Sequence, residues 1–373
     1  MTRMKPETVS DADHMRAALN LAGRGLGGVA PNPAVGCVIV RENVVVGRGW
    51  TQPGGRPHAE TEALARAGAG ASGATAYVTL EPCSHRGQTP PCAEALVAAG
   101  IARCVVAIED PDPRVSGRGL AMLRAAGIAV ETGLMAEEAT RLNAGFLKRI
   151  LDGRPLVTLK LASTLDGRIA THAGESRWIT GDAARALVHM LRHRHDAVMV
   201  GSGTAIADDP ELTVRLPGLE ARQPLRIVVD GRLRTPLTHK LVRDAPTLPT
   251  LVITREGSDP MRRAVLADCG VQLIEVPPDT DGNLDLVAAF QALGQRGLTR
   301  ILVEGGATLA AALLRRKLVD RLAWFRSAGL IGGDGLPAVK ALGVDRLADQ
   351  ARATRLSLMR VGDDVLETLA LSA

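Results

Sequence analysis

The chain has 373 residues, of which 46% are hydrophobic and 23% are charged, so a sizeable apolar core is expected and disorder is excluded as a main feature. The formal net charge of +5 favours anionic ligands, but only 2% of the residues are aromatic, too few for a surface that stacks nucleic-acid bases. The first residues lack the pattern of a secretion signal and no apolar run reaches ~18 residues, so we expect a cytoplasmic protein without a membrane span.

Helix and strand patterns alternate over residues 10–150. Ser10 is a good N-cap for a helix that runs to about Arg24. The stretch "GCVIVRENVVVGRGW" predicts a hairpin that turns at Glu42-Asn43. Next, "ATAYVTLEP" and "RCVVAIED" predict strands on either side of the helical "PCAEALVAAG", an arrangement that favours parallel pairing. The helical "MAEEATRLNAGFLKRI" ends this section, so we predict an α/β domain over residues 1–150.

A turn-rich segment, "LDGRP" at 151–155, predicts a linker. Beyond it, apolar strands alternate with helical stretches. The strand segments are "PLVTLKLA", "DAVMVG", "PLRIVVD", "TLVITR", "VQLIEVP" and "RILVEGG". This pattern predicts a second α/β domain, over residues 156–373, with a mostly parallel sheet.

One histidine and two cysteines indicate a zinc site in the first domain. His58 begins a helical stretch, Cys83 follows a predicted strand, and Cys92 follows two prolines at the start of another helix. One imidazole and two thiolates are one ligand short of a closed structural site, which leaves a position for water. Glu60, two residues after His58, is the carboxylate expected to carry that water's proton to a departing amine.

Other interpretations of these residues stay open at this stage. A His-x-Glu pair alone is typical of a helix start, and the gap between the cysteines is eight residues instead of two. Glu62, one helical turn after His58, is an alternative base, and His85 is an alternative ligand. The odd number of cysteines argues against a disulfide framework. Three of the five cysteines lie in or beside apolar segments and are expected in the core: Cys37, Cys104 and Cys269.

At these positions the sequence resembles a known family, the bifunctional riboflavin biosynthesis proteins. The segments "PNPAVGCVIV", "PHAE", "VTLEPCSHRGQTPPC" and "DPDPRVSGRGL" are similar to its deaminase half. The later "KLASTLDGRIA", "GESRWIT", "DAVMVGSGTAIADDPELTVR", "LRIVVD" and "LVEGGATLAAALL" resemble its reductase half, in the same order. The resemblance implies an N-terminal cytidine-deaminase-like three-layer α/β/α domain and a C-terminal dihydrofolate-reductase-like α/β domain. It also implies two consecutive reactions on a small phosphorylated pyrimidine: zinc-dependent deamination, then reduction of the ribose by NADPH.

The resemblance also implies roles for individual residues. His58, Cys83 and Cys92 match the family's zinc ligands, Glu60 its proton shuttle, and Asn32 a nucleotide contact. A turn residue between two prolines is the alternative interpretation of Asn32. The positions that match contacts to the ribosyl phosphate are Ser176, Arg192, Leu212, Arg215 and Glu304. The positions that match cofactor contacts are Ala162, Trp178, Thr204, Asp208, Gly306, Ala307, Thr308 and Leu309. The candidate acids and bases of the reduction are Lys160, Asp166 and Glu304.

Three positions depart from the family pattern. Family members commonly have histidine where Thr51 stands, a basic residue where Gln88 stands, and lysine where Gly329 stands. The first two changes remove groups that could meet the substrate or its phosphate, and the third removes a cation. Because the zinc motif is intact, we expect the chemistry to survive.

Three classes of function are compatible with the motifs. The favoured class is the two-domain riboflavin enzyme, for which the resemblance also implies a homo-oligomer. A nucleic-acid-editing zinc deaminase would explain the zinc motif and the basic charge, but not the second domain. A non-catalytic zinc-stabilised binding module would require a fourth protein ligand, with His85 as the nearest candidate.

Overall fold

A computed structural model describes residues 9–85, 90–113 and 115–371. The chain divides into two compact units between Asp152 and Gly153. The helices of the first unit are α1 (Asp11–Ala22), α2 (Ala59–Ala67), α3 (Cys92–Ala98), α4 (Arg118–Ala125) and α5 (Ala136–Asp152). Its strands are β1 (Gly36–Arg41), β2 (Val44–Trp50), β3 (Thr75–Val78), β4 (Arg103–Val106) and β5 (Ala129–Thr132).

The second unit contains six further helices and eleven strands among the described residues. The helices are α6 (Asp182–His193), α7 (Ser202–Asp208), α8 (Lys240–Arg243), α9 (Pro260–Asp268), α10 (Leu286–Gln295) and α11 (Ala307–Arg315). The strands are β6 (Leu156–Ser163), β7 (Arg168–Ala170), β8 (Ala197–Gly201), β9 (Leu225–Val229), β10 (Thr250–Arg255), β11 (Gln272–Val276), β12 (Arg300–Glu304), β13 (Arg321–Arg326), β14 (Leu336–Pro337), β15 (Ala353–Val361) and β16 (Asp364–Leu371). None of the described helices is both long and apolar enough to span a membrane.

The first unit is a five-stranded sheet in the order β2-β1-β3-β4-β5, with helices on both faces. Alternate residues of β1 point to opposite faces, so that Cys37 and Ile39 belong to one apolar cluster and Val38 and Val40 to another. The first cluster includes residues of α2, α3 and α4, and the second includes residues of α1. This is the predicted three-layer α/β/α arrangement.

Local turn and cap predictions in this unit are confirmed. The Ser10 side chain accepts from the Asp13 N–H, and the Asp13 carboxylate accepts from the Ser10 N–H, which forms a capping box. Strands β1 and β2 form the predicted antiparallel hairpin. Its turn residues Glu42 and Asn43 have φ of 51° and 62°, the left-handed conformation that a two-residue hairpin loop requires. Strands β3 and β4 are parallel, as predicted.

Two glycines let α2 pack directly on β2. A Cβ atom at Gly47 would lie 2.2 Å from the Ala63 carbonyl oxygen, and one at Gly49 would lie 2.1 Å from that of Ala59. Any side chain at these positions would push the helix away from the strand. The alternation of glycine in β2 therefore sets the position of the α2 N-terminus, where His58 and Glu60 lie.

The second unit is a nine-stranded sheet in the order β11-β10-β9-β8-β12-β6-β13-β16-β15. Neighbouring strands from β11 to β13 pair in parallel, and β16 and β15 continue the sheet antiparallel. Its two faces carry separate clusters: Ile301 and Val303 of β12 belong to one, and Leu302 to the other. The predicted α/β fold with a mostly parallel sheet is confirmed.

The position of one strand corrects an expectation. From sequence alone, the apolar segment "RLAWFRSAGLIG" is expected to form a sheet edge that could serve a dimer interface. Strand β13, which begins this segment, instead pairs with β6 on one side and β16 on the other, so it is an interior strand. The edge belongs to β15, because the hairpin of β15 and β16 adds two more strands. Sequence apolarity could not distinguish these positions, since an interior strand is apolar as well.

Candidate active sites

The predicted zinc ligands meet where the N-termini of α2 and α3 lie beside the segment that follows β3. His58 is the N-cap of α2, with extended dihedral angles (φ −71°, ψ 161°). Cys92 is the first residue of α3, and the Ala93 N–H donates to the Cys83 carbonyl over 3.2 Å. The loop that carries Cys83 is therefore bonded to the helix that carries Cys92.

The ligand atoms of these three residues converge. His58 Nδ1 lies 3.2 Å from Cys92 Sγ and 3.7 Å from Cys83 Sγ, and all three ligand atoms lie within 4.8 Å of one another. The Cys92 N–H donates to Cys83 Sγ over 3.3 Å. Hydrogen bonding by the Cys92 side chain holds the pKa of Cys83 to about 4, which favours its thiolate form.

Glu60 lies beside the same cluster. It is the second residue of α2, its side chain is buried, and its carboxylate hydrogen-bonds with the Cys92 side chain. Burial, followed by the charge of Cys83, raises the pKa of Glu60 to about 7. A carboxyl group with this pKa can both accept and release a proton near neutral pH.

Neither alternative residue joins the cluster in the described part of the chain. Glu62 is bonded to Arg66 on the same helix over 2.9 Å. His85 is exposed, and the group of possible metal ligands found among the described residues contains His58, Cys83 and Cys92 without it. Three protein ligands are typical of a catalytic zinc site, which keeps one coordination position open.

Asn32 lies close to the segment that leads to His58. A Cβ atom at Gly55 would lie 1.8 Å from Asn32 Nδ2. The two residues are therefore in direct contact, and any side chain at position 55 would clash with Asn32. Gly55 also has φ of 85°, a conformation that favours glycine. The contact places Asn32 beside Gly55, three residues before His58.

The second unit has a cavity of about 640 Å³ at the carboxyl end of its parallel strands. Nine of the residues predicted to contact the substrate or the cofactor line it: Ala162, Ser176, Trp178, Arg192, Thr204, Asp208, Leu212, Arg215 and Glu304. Trp178 is 70% exposed, so it is not a core residue, and the Arg185 guanidinium lies 4.4 Å from the centre of its ring. Ligands of open α/β sheets bind at this end of the strands.

A buried ion pair, Arg192–Glu304, lines this cavity. The Arg192 guanidinium donates from Nε and Nη2 to the two carboxylate oxygens of Glu304, over 2.6 and 2.9 Å. Burial raises the pKa of Glu304, but the charge of Arg192 and these hydrogen bonds outweigh burial and hold the pKa below its ordinary value. Lys160 lines the same cavity, and burial lowers its pKa against the opposing charge of Glu304.

The four other predicted cofactor residues lie at the turn from β12 into α11. Gly306 is the N-cap of α11, with φ of 87°, and a Cβ atom there would lie 3.1 Å from Thr204 Oγ1. Ala307 is the first helical residue, whereas Thr308 and Leu309 line a second cavity of about 500 Å³. The structure thus places Gly306 and Ala307 outside the lining of both cavities, at a turn that borders each of them.

Comparison with known proteins identifies the family. A family model described as the RibD C-terminal domain matches residues 155–366, and one for the cytidine and deoxycytidylate deaminase zinc-binding region matches residues 8–108. The riboflavin biosynthesis protein RibD of Escherichia coli (strain K12) is 45% identical over 368 residues, which cover 96% of this chain and 98% of that protein. The chain belongs to the RibD family.

Solved structures of RibD proteins support the same family assignment. Acinetobacter baumannii RibD is similar with a TM-score of 0.86 and 41% identity, over 97% of this chain and 99% of that one. A Thermotoga maritima deaminase/reductase matches with a TM-score of 0.83 and 33% identity, over 97% and 98% of the two chains. The protein is therefore a bifunctional enzyme of riboflavin biosynthesis, with a zinc-dependent deaminase domain and an NADPH-dependent reductase domain.

Two of the departures from the RibD pattern can be located. Thr51 is buried, and its hydroxyl accepts from the Val35 N–H over 2.9 Å, so it is engaged by the backbone. Gly329 is exposed, and its carbonyl accepts from the Leu165 N–H over 2.9 Å. Gln88, the third departure, lies outside the described residues.

One candidate acid of the reduction is engaged elsewhere. The Asp166 carboxylate accepts from the Thr164 hydroxyl and from the N–H groups of Ile331 and Gly332. These hydrogen bonds lower its pKa and tie two loops together. Asp166 is not among the residues that line either cavity.

Sequence inspection missed Glu81, the residue that holds the loop beside the zinc ligands. Its buried carboxylate accepts from four backbone N–H groups. The donors are Asp110, Gly117, Gly119 and Leu120, at 3.2, 3.0, 2.9 and 3.3 Å. The only signal in the sequence was a carboxylate at the end of an apolar strand, directly before Pro82-Cys83.

Proposed function

We propose that His58, Cys83 and Cys92 hold the zinc ion and that Glu60 moves the proton in the deamination of a diaminopyrimidinone ribosylamino 5′-phosphate. The observation that carries this proposal is the convergence of three ligand atoms within 4.8 Å, with the buried Glu60 carboxylate beside them. An imidazole and two thiolates suit zinc. When bound, zinc supplies Lewis-acid activation of water. The Glu60 carboxylate accepts a proton from the attacking water and releases one to the departing amine.

Assignment of the substrate rests on the family and on the cavity of the second unit. The Thermotoga relative is described as a diaminohydroxyphosphoribosylaminopyrimidine deaminase and 5-amino-6-(5-phosphoribosylamino)uracil reductase. Six basic and four acidic residues line the 640 Å³ cavity, a net of +2 that suits a phosphate ester. Arg192 and Arg215 are the cations that match the family's ribosyl phosphate contacts.

For the reduction, we propose that Lys160 acts as the proton donor. NADPH supplies the hydride, so the chain needs to place the substrate, exclude water and deliver a proton. Lys160 lies in the cavity with Glu304, and its lowered pKa makes it a better acid than an exposed lysine. The other candidates are engaged: Glu304 pairs with Arg192, and Asp166 holds two loops. Ala162, Trp178, Thr204 and Asp208 then border the nicotinamide end of the cofactor.

We further propose that the enzyme works in the cytoplasm, as a homo-oligomer, on a small phosphorylated pyrimidine and not on nucleic acid. The five cysteines are all free, which fits a reducing compartment. The 2% aromatic content and the size of the reductase cavity, about 640 Å³, favour a small ligand. Strand β15 supports the oligomer, because it is a sheet edge whose residues 353–360 are all exposed, including Leu356, Leu358 and Met359.

The test follows ammonia release and NADPH oxidation separately, with the diaminopyrimidinone nucleotide supplied with and without NADPH. We expect the wild-type protein to release ammonia without NADPH and to oxidise NADPH only once the base is deaminated. Glu60→Gln should keep zinc and lose ammonia release, whereas Cys83→Ser should lose zinc as well, because an alcohol replaces a thiolate poorly. Glu62→Gln is the matched control, since Glu62 is bonded to Arg66 away from the ligands. Full zinc content in Cys83→Ser, or equal loss of both activities in Glu60→Gln, would contradict these assignments.

A further inference from the structure

A polar side chain, Asn143, lies on the buried face of α5 in the deaminase domain. It is 2% exposed and shares this face with the buried Ala139 and Phe146. Asparagine is a poor residue for the middle of a helix, and burial of its amide is unfavourable unless hydrogen bonds replace those to water. A buried amide at this position therefore calls for specific partners.

The Asn143 amide binds both backbone polar groups of one residue, Ala34, in the loop before β1. The Ala34 N–H donates to Asn143 Oδ1 over 3.0 Å, and Asn143 Nδ2 donates to the Ala34 carbonyl over 3.0 Å. This pairing needs a donor and an acceptor side by side, which a carboxamide supplies and a carboxylate does not. The two residues are 109 positions apart in the sequence, so the contact ties the end of the domain to its beginning.

The two residues after Ala34 are held in the same way. The Thr51 hydroxyl accepts from the Val35 N–H over 2.9 Å, and the Thr51 N–H donates to the Val35 carbonyl over 2.9 Å. The Gly36 N–H donates to Thr79 Oγ1 over 3.1 Å, and the Thr79 N–H donates to the Gly36 carbonyl over 3.1 Å. Three consecutive residues are thus bonded at both backbone groups, by partners from three separate parts of the domain.

Asn143 is the one of these three anchors that lies nearest in the chain to Asn32. Asn32 precedes the anchored Ala34 by two residues, and its side chain contacts Gly55 in the segment that leads to the zinc ligands. Pro33, between Asn32 and Ala34, has a fixed φ. The position of Ala34 is therefore passed on to Asn32 through a stiff link.

We propose that Asn143 is a positioning residue of the deaminase, which fixes Ala34 so that the Asn32 side chain is presented to the nucleotide. The inference rests on the proposed deamination and on a nucleotide contact by Asn32. Asn143 acts through Asn32 and needs no contact with the substrate itself. It lies beyond residues 8–108, the region that the zinc-binding family model matches, so α5 supplies an anchor for the substrate loop that this region lacks.

The test measures the KM and kcat of ammonia release by the zinc-loaded full-length protein, with the diaminopyrimidinone nucleotide as substrate. Asn143→Leu keeps an apolar side chain of similar size and removes the amide. We expect KM to rise about fivefold to tenfold, the usual effect of one lost hydrogen bond. The kcat should change by less than about twofold, because a lost binding contact weakens the ground state and the transition state alike. Asn143→Ala should show the same split and serves as the second variant if the leucine variant does not fold.

A double-mutant cycle with Asn32→Ala distinguishes positioning from a general loss of stability. If Asn143 acts through Asn32, adding Asn143→Leu to Asn32→Ala should raise KM by less than about twofold further. Phe146→Leu, on the same buried face, should lower the urea midpoint without raising KM. Asn20→Leu is the matched control at an exposed asparagine of α1 and should leave KM unchanged. Multiplicative effects in the cycle, or an unchanged KM in Asn143→Leu or Asn32→Ala, would overturn the inference.

Hydrogen–deuterium exchange gives a readout that does not depend on catalysis. Asn143→Leu should accelerate exchange over residues 26–35, because the Ala34 N–H loses its acceptor, whereas exchange of β4 should stay as in the wild type. Unchanged exchange over this loop would overturn the inference by itself. Failure of the wild-type protein to release ammonia would instead refute the proposed deamination, and the exchange data would still decide whether Asn143 holds the loop.

Discussion

At the scale of single residues, Lys160 is a cation held among charged neighbours at the centre of the reductase cavity. Its pKa is lowered by burial and by Arg192, and Glu304 partly restores it. The lowered pKa makes the Lys160 ammonium group a stronger acid than that of a lysine in water. The role proposed for it is therefore chemical and not only positional.

Replacing Lys160 by glutamine should lower the reductase kcat by roughly 10²-fold to 10⁴-fold, because that is the usual contribution of a positioned proton donor. Ammonia release should be unchanged, since the deaminase residues belong to the other domain. The measurement is NADPH oxidation with pre-deaminated substrate, with calorimetric NADPH binding as the control for an intact cavity. A variant that retained wild-type kcat would exclude Lys160 as the donor.

The Arg192–Glu304 pair predicts a pH dependence of stability. Because the folded-state pKa of Glu304 lies below its ordinary value of 4.5, its contribution is fully present above that value and is lost as the pH falls through the lower, folded pKa. Glu304→Gln leaves Arg192 buried without its partner and should lower the unfolding free energy at pH 7 by about 3–5 kcal/mol. The difference in Tm between wild type and variant should shrink as the pH drops below 4.5, measured by circular dichroism. A Tm difference that stayed constant down to pH 3 would show that the carboxylate charge does not stabilise the fold.

At the scale of elements, Glu81 connects the end of the strand segment that carries Cys83 to the loop before α4. Its four N–H donors come from residues 110–120, so one side chain fixes a whole loop. Gly119 sits so close that a Cβ atom would lie 2.0 Å from the Pro82 carbonyl oxygen. These contacts bond the described residues of the loop to the Cys83 segment next to the proposed zinc site.

Glu81→Gln should destabilise the deaminase domain, because an amide nitrogen would face N–H donors in place of one carboxylate oxygen. Leaving buried donors unsatisfied costs about 1–3 kcal/mol each. The expected readout is a lower urea midpoint of the deaminase transition, together with a raised KM for deamination and unchanged reductase kinetics. Glu109→Gln is the matched control, since Glu109 is exposed next to the same loop. Equal urea midpoints for the two variants would contradict the proposed anchoring role of Glu81.

At the scale of the whole molecule, the exposed edge strand β15 predicts self-association. Leu358 is 58% exposed and lies on an edge strand, where unpaired backbone groups and apolar side chains favour a partner strand. Leu358→Lys should shift the protein to a smaller mass in size-exclusion chromatography with light scattering, because a buried charge disfavours the interface. Met261→Lys, at a residue 76% exposed on α9, should leave the mass unchanged. A wild-type protein that is monomeric at micromolar concentration would refute the oligomer.

The spacing in "PHAE" shows how much of the candidate zinc site could be predicted from local sequence. An ideal helix would turn residues two apart to nearly opposite faces, yet His58 and Glu60 meet at one cluster, because His58 is an extended N-cap and only Glu60 is helical. The order of helices and strands, the hairpin turn and the zinc-ligand residue types were all readable from periodicity, caps and motifs. These depend on neighbours within a few residues, which is why they could be predicted.

Tertiary structure alone decided which distant groups meet. Glu81 binds a loop about 30 to 40 residues away, Arg192 and Glu304 are 112 residues apart, and β15 displaced β13 from the sheet edge through its pairing with β16. The arginines that line the second cavity belong to the turn after β9, to the end of β10 and to the end of α11, which only the strand order brings together. Local propensity carries no information about such long-range pairing, because the free energy that selects it comes from burial and hydrogen bonding across the assembled sheet.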